Sequence, residues 1–326
     1  MAASFPIRRL FVIGIPGLRL DAASRPWVRE AAGVILFRRN LGTPAQIRAL
    51  TRDLREAAER PLLIAVDQEG GRVRRLPSPP YPAYPAAGEL AARGVEAEVE
   101  AVAEEVATTL AGLGINTNLA PVLDVVDDPA TSAIHDRSFG RDPQTVARLG
   151  AAWVRGSERG GVASCVKHFP GHGATRDDSH ISLAVVEDAE ATVVARDRAP
   201  FAALIERGVP MVMTAHVRYP AVDPLLPATL SERILRGWLR DELGFTGVVV
   251  SDDLEMAAIR RHFSPEAVAR RFWAAGGDLL LVGEDQGYAA RLETAATAAV
   301  GDGGLAPALL EESLARVETL VAGFGM

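Results

Sequence analysis

Short apolar runs alternate with longer amphipathic segments along this chain. The runs are apolar at nearly every position and rich in β-branched residues, which is typical of strands covered on both faces. They are Leu10–Ile15, Gly33–Phe37, Leu62–Val66, Ile115–Leu119, Val162–Val166, Met211–Thr214, Val248–Ser251 and Leu279–Val282. The pattern therefore predicts eight buried strands.

The segments between the runs carry a helical pattern. Val99, Val102, Val106 and Leu110 are three or four residues apart and would share one helix face. The other predicted helices are Thr43–Glu59, Pro143–Arg159, Ala189–Arg207, Ser231–Leu243, Pro265–Ala275, Gly287–Val300 and Pro307–Ala322. Because strands that alternate with helices favour a parallel sheet, we predict an α/β fold. Residues 1–326 are expected to form a single (β/α)8 TIM-type barrel, with an open doubly wound sheet as the alternative.

Polar side chains follow the predicted strands. The groups found near the ends of strands three to eight are Asp67, Glu69, Arg72, Asn118, Asp124, Lys167, His168, His216, Asp252, Asp253, Glu284 and Asp285. In a (β/α)8 barrel the carboxyl ends of all strands meet at one face, and that face holds the active site. We therefore expect these groups to converge.

Composition and charge narrow the classes of partner. The 326 residues are 48% hydrophobic and 24% charged, as in ordinary globular proteins. The net charge of −7 and the scattered arginines argue against a nucleic-acid partner. Cys165 is the single cysteine and is interpreted as a small buried hydrophobe. The N-terminal apolar run is too short for a signal peptide or a membrane span. We expect a cytoplasmic protein with no membrane partner, and a monomer by default.

The stretch from Lys167 to His180 is the richest in chemistry. It contains three of the six histidines, together with one lysine and two aspartates. Pro170 and the two glycines disfavour a regular helix or a central strand, so we predict a loop at the end of the fifth strand.

A metal site is one interpretation of the histidines. His168 and His172 have the i, i+4 spacing of zinc ligands, and His180 and His216 would extend the set. The i, i+4 spacing places two ligands on the same face only if the segment is helical. Pro170 lies between the two histidines and would break such a helix. A metal-dependent barrel hydrolase is therefore an alternative to a metal-free enzyme.

Carboxylate chemistry is the other interpretation. In an extended segment Asp252 and Asp253 point to opposite sides, so only one of them can face the barrel mouth. An inward carboxylate kept ionised by nearby cations suits a nucleophile that attacks an anomeric carbon. Asp178 and His180 could supply the proton donor, because a carboxylate orients one ring nitrogen and leaves the other free. A strand-end salt bridge and a satisfied loop histidine are the structural alternatives.

These motifs resemble glycoside hydrolase family 3, and more narrowly its bacterial β-N-acetylglucosaminidases (β-N-acetylhexosaminidases) of peptidoglycan recycling. The most specific part of the likeness is the stretch from Lys167 to Gly173, followed by Thr175, Asp178 and His180. Other matching motifs cover almost the whole chain and occur in the same order as in the family. They are D-Q-E-G-G-R-V from Asp67, G-I-N from Gly114, A-P-V-L-D from Ala120, R-S-F-G from Arg137, H-V from His216 with Y-P from Tyr219, and S-D-D-L from Ser251.

The resemblance implies a role for each matching residue. Asp252 corresponds to the nucleophile of a covalent glycosyl-enzyme, His180 to the acid/base, and Asp178 to its partner. The residues that would grip the sugar are Asp67, Arg75, Arg137, Lys167 and His168. The resemblance implies no metal and no cofactor. Longer β-glucosidase relatives add a domain that supplies a glutamate acid, and this sequence, which ends at Met326, is expected to lack it.

The favoured function is that of a retaining exo-β-N-acetylglucosaminidase acting on a small carbohydrate or muropeptide substrate. The same site could pass the sugar to phosphate, since an imidazole does not repel an anion as a glutamate would. It could also act as a β-glucosidase or xylosidase. A non-catalytic sugar-binding barrel is the alternative outside the enzymes, but binding alone requires neither a nucleophile nor an acid.

Overall fold

Eight parallel strands close into a barrel in this computed structural model, which describes residues 5–175 and 183–324. The barrel strands are β1 Phe11–Gly14, β2 Gly33–Leu36, β3 Leu63–Val66, β4 Thr117–Asn118, β5 Ala163–Phe169, β7 Met211–Thr214, β9 Val248–Asp253 and β10 Leu279–Val282, and the small strands β6 Ala184–Val185 and β8 Val217–Arg218 pair outside it. Neighbours follow chain order around the barrel, and β10 pairs with β1. The predicted (β/α)8 barrel is confirmed, and all eight predicted runs contribute a barrel strand. The β6–β8 pair was not predicted.

Helices surround the barrel. They are α1 Arg25–Glu30, α2 Pro44–Ala58, α3 Ala87–Arg93, α4 Glu96–Gly112, α5 Pro143–Arg159, α6 Glu190–Thr192, α7 Ala199–Ile205, α8 Ala257–Arg260, α9 Pro265–Ala274, α10 Gln286–Gly301 and α11 Pro307–Phe324. Capping residues fix where several helices begin. In α5, for example, the Asp142 carboxylate accepts the backbone N–H of Thr145 at 2.9 Å, and Pro143 is the first helical residue. None of the described helices is long and apolar enough to cross a membrane.

Two predicted helices have π-helical geometry instead of regular α-helical geometry. The predicted helix Ala189–Arg207 is divided into α6, a π-helical segment Val193–Arg198, and α7. Pro200 lies four residues after Arg196 and has no N–H to offer its carbonyl, which disfavours a continuous α-helical ladder there. The second π-helical segment is Arg233–Glu242.

Strand β5 is longer than predicted. We expected the loop to begin at Lys167, but Lys167, His168 and Phe169 all belong to β5. Phe169 pairs with Thr214 of β7, and the backbone of Lys167 forms a bridge with Val122. The prediction was wrong for these three residues because pairing on both sides keeps the backbone extended up to Pro170. Two groups of the predicted sugar site therefore lie on a barrel strand.

Candidate active site

A polar cavity of about 260 Å³ opens at the carboxyl ends of β3, β5 and β9. It is lined by Asp67, Glu69, Val73, Arg75, Ala133, Ile134, Arg137, Lys167, His168, His172 and Asp252. All six described residues of the predicted site thus come together. The predicted acid/base His180 and its partner Asp178 lie outside the described residues.

Lys167 is at the centre of an ionic network. Its Nζ lies 2.7 Å from Asp67 Oδ1 and 2.6 Å from Glu69 Oε1, and its side chain is only 2% exposed. The two carboxylates outweigh the effect of burial, which acts in the opposite direction, and raise the pKa of Lys167. An ammonium has three N–H donors; two of them bind these carboxylates, and the third has no hydrogen-bond partner among the described residues.

The residue counts of the sequence also single out Lys167. Lys167 is the only lysine in the chain, which otherwise uses 34 arginines as its cations. Lysine is a compact point charge, whereas arginine presents a wide planar fork. We therefore expect that an arginine cannot fully replace the lone lysine at this position.

Glu69 joins Lys167 to Arg137. Arg137 donates two hydrogen bonds to the Glu69 carboxylate, from Nε at 2.8 Å and from Nη2 at 2.9 Å. Although burial opposes ionisation, Arg137 and Lys167 hold the pKa of Glu69 well below its usual range. Glu69 was expected near the strand ends, but no role was predicted for it. The structure shows that it aligns two of the predicted sugar-binding cations.

Arg75 is the arginine of its segment that reaches the cavity. Its Nη2 lies 3.3 Å from Asp67 Oδ2, and its buried Nε has no hydrogen-bond partner among the described residues. Arg72 instead donates to the carbonyls of Ala133 and Ile134. Of these two arginines, only Arg75 lines the cavity.

Asp252 presents an ionised carboxylate to the cavity. Its Oδ1 accepts the backbone N–H of Asp253 at 2.8 Å, and its Oδ2 lies 4.0 Å from His168 Nε2. Burial alone would raise the pKa of Asp252, but His168, His216, the Asp253 N–H and Lys167 together lower it to about 2. The carboxylate is therefore ionised across the physiological pH range, as a nucleophile requires.

Asp253 points away from its neighbour, as its place in an extended strand predicts. Its Oδ1 accepts the backbone N–H of Glu255 at 3.0 Å and that of Gly283 at 3.2 Å. Burial raises the pKa of Asp253 to about 7, and the carboxylates of Glu255 and Asp252 act in the same direction. The two adjacent aspartates therefore have opposite pKa shifts, and of the two only Asp252 lines the cavity.

Two buried groups hold the cavity wall from behind. Asp124 accepts hydrogen bonds from the Nδ1 and backbone N–H of His168. His216 contacts Thr229 Oγ1 at 2.7 Å through Nδ1 and the Asp253 carbonyl at 3.1 Å through Nε2. Both residues were expected near the strand ends, but their partners were not predicted.

The segment after β5 is hydrogen-bonded within itself and to the loop that contains Ser132. His172 Nδ1 lies 2.6 Å from Thr175 Oγ1, and the carbonyl of Gly173 accepts a hydrogen bond from Ser132 Oγ at 2.7 Å. Burial lowers the pKa of His172 to about 4, so this histidine is neutral near pH 7. Within residues 5–175 and 183–324, no group of three or more His, Cys, Asp or Glu residues is arranged to hold a metal ion.

Comparisons with known proteins agree with this geometry. The glycosyl hydrolase family 3 N-terminal domain matches residues 14–320. A β-hexosaminidase from Xylella fastidiosa is 42% identical over 281 residues, which are 84% of this chain and 83% of that protein. A β-hexosaminidase from Xanthomonas oryzae pv. oryzae is 41% identical over 287 residues, with the same coverage.

Solved structures show the same barrel. A family 3 β-N-acetylglucosaminidase from Paenibacillus sp. superposes with a TM-score of 0.95 at 40% identity over 99% of this chain, which spans only 62% of that longer protein. A β-N-acetylhexosaminidase from Beutenbergia cavernae has a TM-score of 0.89 at 31% identity, with 97% of both chains covered. NagZ from Neisseria gonorrhoeae, solved with N-trifluoroacetyl-D-glucosamine, has a TM-score of 0.81 at 33% identity and covers 95% of this chain and 89% of its own.

A closed (β/α)8 barrel with a charged cavity at its carboxyl face, together with these relatives, defines a glycoside hydrolase. The chain belongs to glycoside hydrolase family 3, which confirms the resemblance found in the sequence. Its activity is of the β-hexosaminidase type.

Proposed function

We propose that this protein is a retaining exo-β-N-acetylglucosaminidase that removes a terminal β-linked N-acetylglucosamine through a covalent glycosyl-Asp252 intermediate. The observation that carries the proposal is the ionised Asp252 carboxylate facing a cavity of about 260 Å³. Pockets that hold drug-sized ligands are commonly about 300–1,000 Å³. A cavity just below that range suits one sugar ring and supports action at a chain end.

The chemistry proceeds in two displacements. Asp252 attacks the anomeric carbon as the bond to the leaving oxygen breaks, and His180, oriented by Asp178, gives that oxygen a proton. Water then attacks the same carbon while His180 takes a proton from it, and Asp252 leaves as a carboxylate. Two inversions give net retention. The low pKa of Asp252 suits the second displacement, because a weakly basic carboxylate is a good leaving group.

The cations and carboxylates of the cavity would bind the sugar hydroxyls. Asp67 offers acceptor oxygens, while Arg75 and Lys167, which also line the cavity, offer N–H donors. Arg137 and His168 line the same cavity. Hydrogen bonds to charged groups are shorter and stronger than neutral ones, so a polar ring can displace water from this site without a loss of hydrogen bonding.

Peptidoglycan fragments are the proposed natural substrate, and the cytoplasm is the proposed location. Both rest on the resemblance to peptidoglycan-recycling enzymes, and the preference for an N-acetyl sugar is supported by the relatives whose names carry it. The test is the release of nitrophenol from 4-nitrophenyl β-N-acetylglucosaminide and from the matching β-glucoside, in metal-free buffer with and without phosphate.

Strong preference for the N-acetyl sugar, independent of phosphate, is the expected result. Equal rates on the β-glucoside would contradict the substrate assignment. If the rate required phosphate, the reaction would be phosphorolysis and not hydrolysis. If a chelator abolished the activity and added metal restored it, the metal-free mechanism would be wrong.

His180→Ala should separate acid catalysis from nucleophilic attack. General acid catalysis contributes about 10²–10⁴-fold, so hydrolysis of a substrate with a poor leaving group should fall by that amount. A 2,4-dinitrophenyl leaving group needs no proton, and formation of the glycosyl-enzyme from it should be nearly unaffected. Stopped-flow measurement of the nitrophenol burst, with Asp178→Asn as a milder partner variant, checks this. Equal losses on both leaving groups would contradict the acid role.

A further inference from the structure

Asp124 is a buried carboxylate to which the proposed reaction gives no task. It has no exposed surface. Its Oδ2 lies 2.7 Å from His168 Nδ1, and its Oδ1 accepts the backbone N–H groups of His168 at 3.1 Å and His172 at 2.7 Å. Each of these bonds is made to the segment that carries sugar-binding groups and leads toward the proposed acid/base.

The contact with Nδ1 decides where the imidazole of His168 carries its proton. An ionised carboxylate only accepts hydrogen bonds, so a contact of 2.7 Å requires an N–H at Nδ1. Burial acts against ionisation of Asp124, but the His168 contacts and His172 outweigh it and lower its pKa. The ring is thereby held with its other nitrogen, Nε2, turned into the cavity.

The position of Nε2 matters for the reaction. It lies 3.5 Å from Arg137 Nη2 and 4.0 Å from Asp252 Oδ2, and His168 lines the sugar cavity. A sugar in this cavity would meet Nε2 beside the carboxylate that attacks it. If the His168 ring were rotated, or protonated only at Nε2, it would present a different hydrogen-bonding pattern to the sugar and to the Asp252 carboxylate.

The geometry points to Asp124 as a positioning residue that acts through His168, keeping the proton on Nδ1 so that Nε2 faces the sugar and the nucleophile. This inference rests on the proposed function, in which His168 contacts the sugar and Asp252 attacks it. Asp124 touches neither of them in this role. Asp124 instead fixes the orientation of the His168 ring and determines which ring nitrogen carries the proton.

Asp124→Asn is the informative variant, because it removes the charge and keeps the size. The Asn oxygen can still accept the backbone N–H groups, while its NH2 faces Nδ1 and forces that nitrogen to become an acceptor. The proton then moves to Nε2. We expect kcat/KM to fall about 10- to 100-fold, as it does for outer partners of metal-bound histidines. The free energy of unfolding should change far less than for loss of a buried ion pair.

A double-mutant cycle separates this role from a purely structural one. Asp124→Asn is combined with His168→Ala, and kcat/KM is measured for wild type, both single variants and the double variant. If Asp124 acts through His168, the second substitution changes kcat/KM by less than about twofold in the His168→Ala background. Independent, multiplicative losses would overturn the proposal. Asp197→Asn is the matched control, since Asp197 is another buried carboxylate that packs against the same segment at Gly171.

A spectroscopic readout does not depend on activity and compares wild type directly with Asp124→Asn. In ¹⁵N-histidine-labelled protein, with His168→Ala to assign the signal, Nδ1 of His168 should carry a proton in wild type and lose it in Asp124→Asn. An unprotonated Nδ1 in wild type, or no change on substitution, would overturn the role of Asp124. Failure of the proposed function would show separately, as retained turnover in Asp252→Ala.

Discussion

Asp252→Ala should lower kcat for an N-acetylglucosaminide by about 10³-fold or more, as is typical when a covalent nucleophile is removed. The reason is the geometry at the end of β9, where this carboxylate alone of the adjacent aspartates lines the cavity. The measurement is steady-state hydrolysis of the 4-nitrophenyl substrate. Intact-mass spectrometry of quenched wild type should also show a glycosyl adduct that the variant lacks.

Asp253→Asn is the matched control for this experiment. Asp253 carries the same carboxyl group one residue along the strand, but it caps the backbone N–H groups of Glu255 and Gly283, and an Asn oxygen can replace it there. Its kcat should stay within about tenfold of wild type. Comparable losses in both variants would argue that the strand end, and not the nucleophile, had been damaged.

The pKa of Asp252 also sets an expectation for the pH profile. A carboxyl group with a pKa of about 2 is more than nine-tenths ionised above about pH 3. Protonation of the nucleophile should therefore not produce the acidic limb of kcat/KM, which would reflect another group. An acidic limb in wild type with an apparent pKa that rose when a cation near Asp252 was removed would contradict this expectation.

Lys167→Met should be the most destabilising change in the cavity. It leaves the Asp67 and Glu69 carboxylates without their shared counter-charge, and breaking a buried ion pair from one side costs about 3–5 kcal/mol in the free energy of unfolding. We also expect kcat/KM to fall by about 10²-fold, since a single charge-assisted hydrogen bond to the sugar contributes about 1.5–3 kcal/mol. Chemical denaturation and steady-state kinetics check the two effects.

Lys167→Arg is the sharper companion variant, because it keeps the charge. If the site needs the compact ammonium, the arginine variant should recover part of the stability but little of the activity. Wild-type kinetics in Lys167→Arg would show that charge alone is required and that the singular use of lysine here has no catalytic meaning.

The sequence predicted the fold well because the fold depends on short-range patterns. Runs such as Gly33–Phe37 are short, apolar throughout and rich in β-branched residues, and their alternation with amphipathic helical segments indicates buried parallel strands. The convergence of Asp67, Lys167 and Asp252 then followed from barrel geometry, since all three lie at carboxyl ends of strands.

The partners within the site could not be predicted in the same way. Asp124 and His168 are 44 residues apart, and Glu69 and Arg137 are 68 residues apart, so no local pattern links them. The extension of β5 through Phe169 likewise depends on pairing with Thr214 of β7, which outweighs the loop-forming signal of the following proline and glycine. Tertiary contacts, more than local secondary-structure propensity, therefore determine the side-chain partners in the site and the length of β5.

The single lysine makes this active site unusually accessible to spectroscopy. A protein of 34.6 kDa gives crowded spectra, but incorporation of isotope-labelled lysine would mark Lys167 and no other side chain. Its ammonium group is held between two carboxylates, so its protons should exchange slowly with water and give an observable signal. Binding, turnover and inhibition at the sugar site would then each be followed through one resonance.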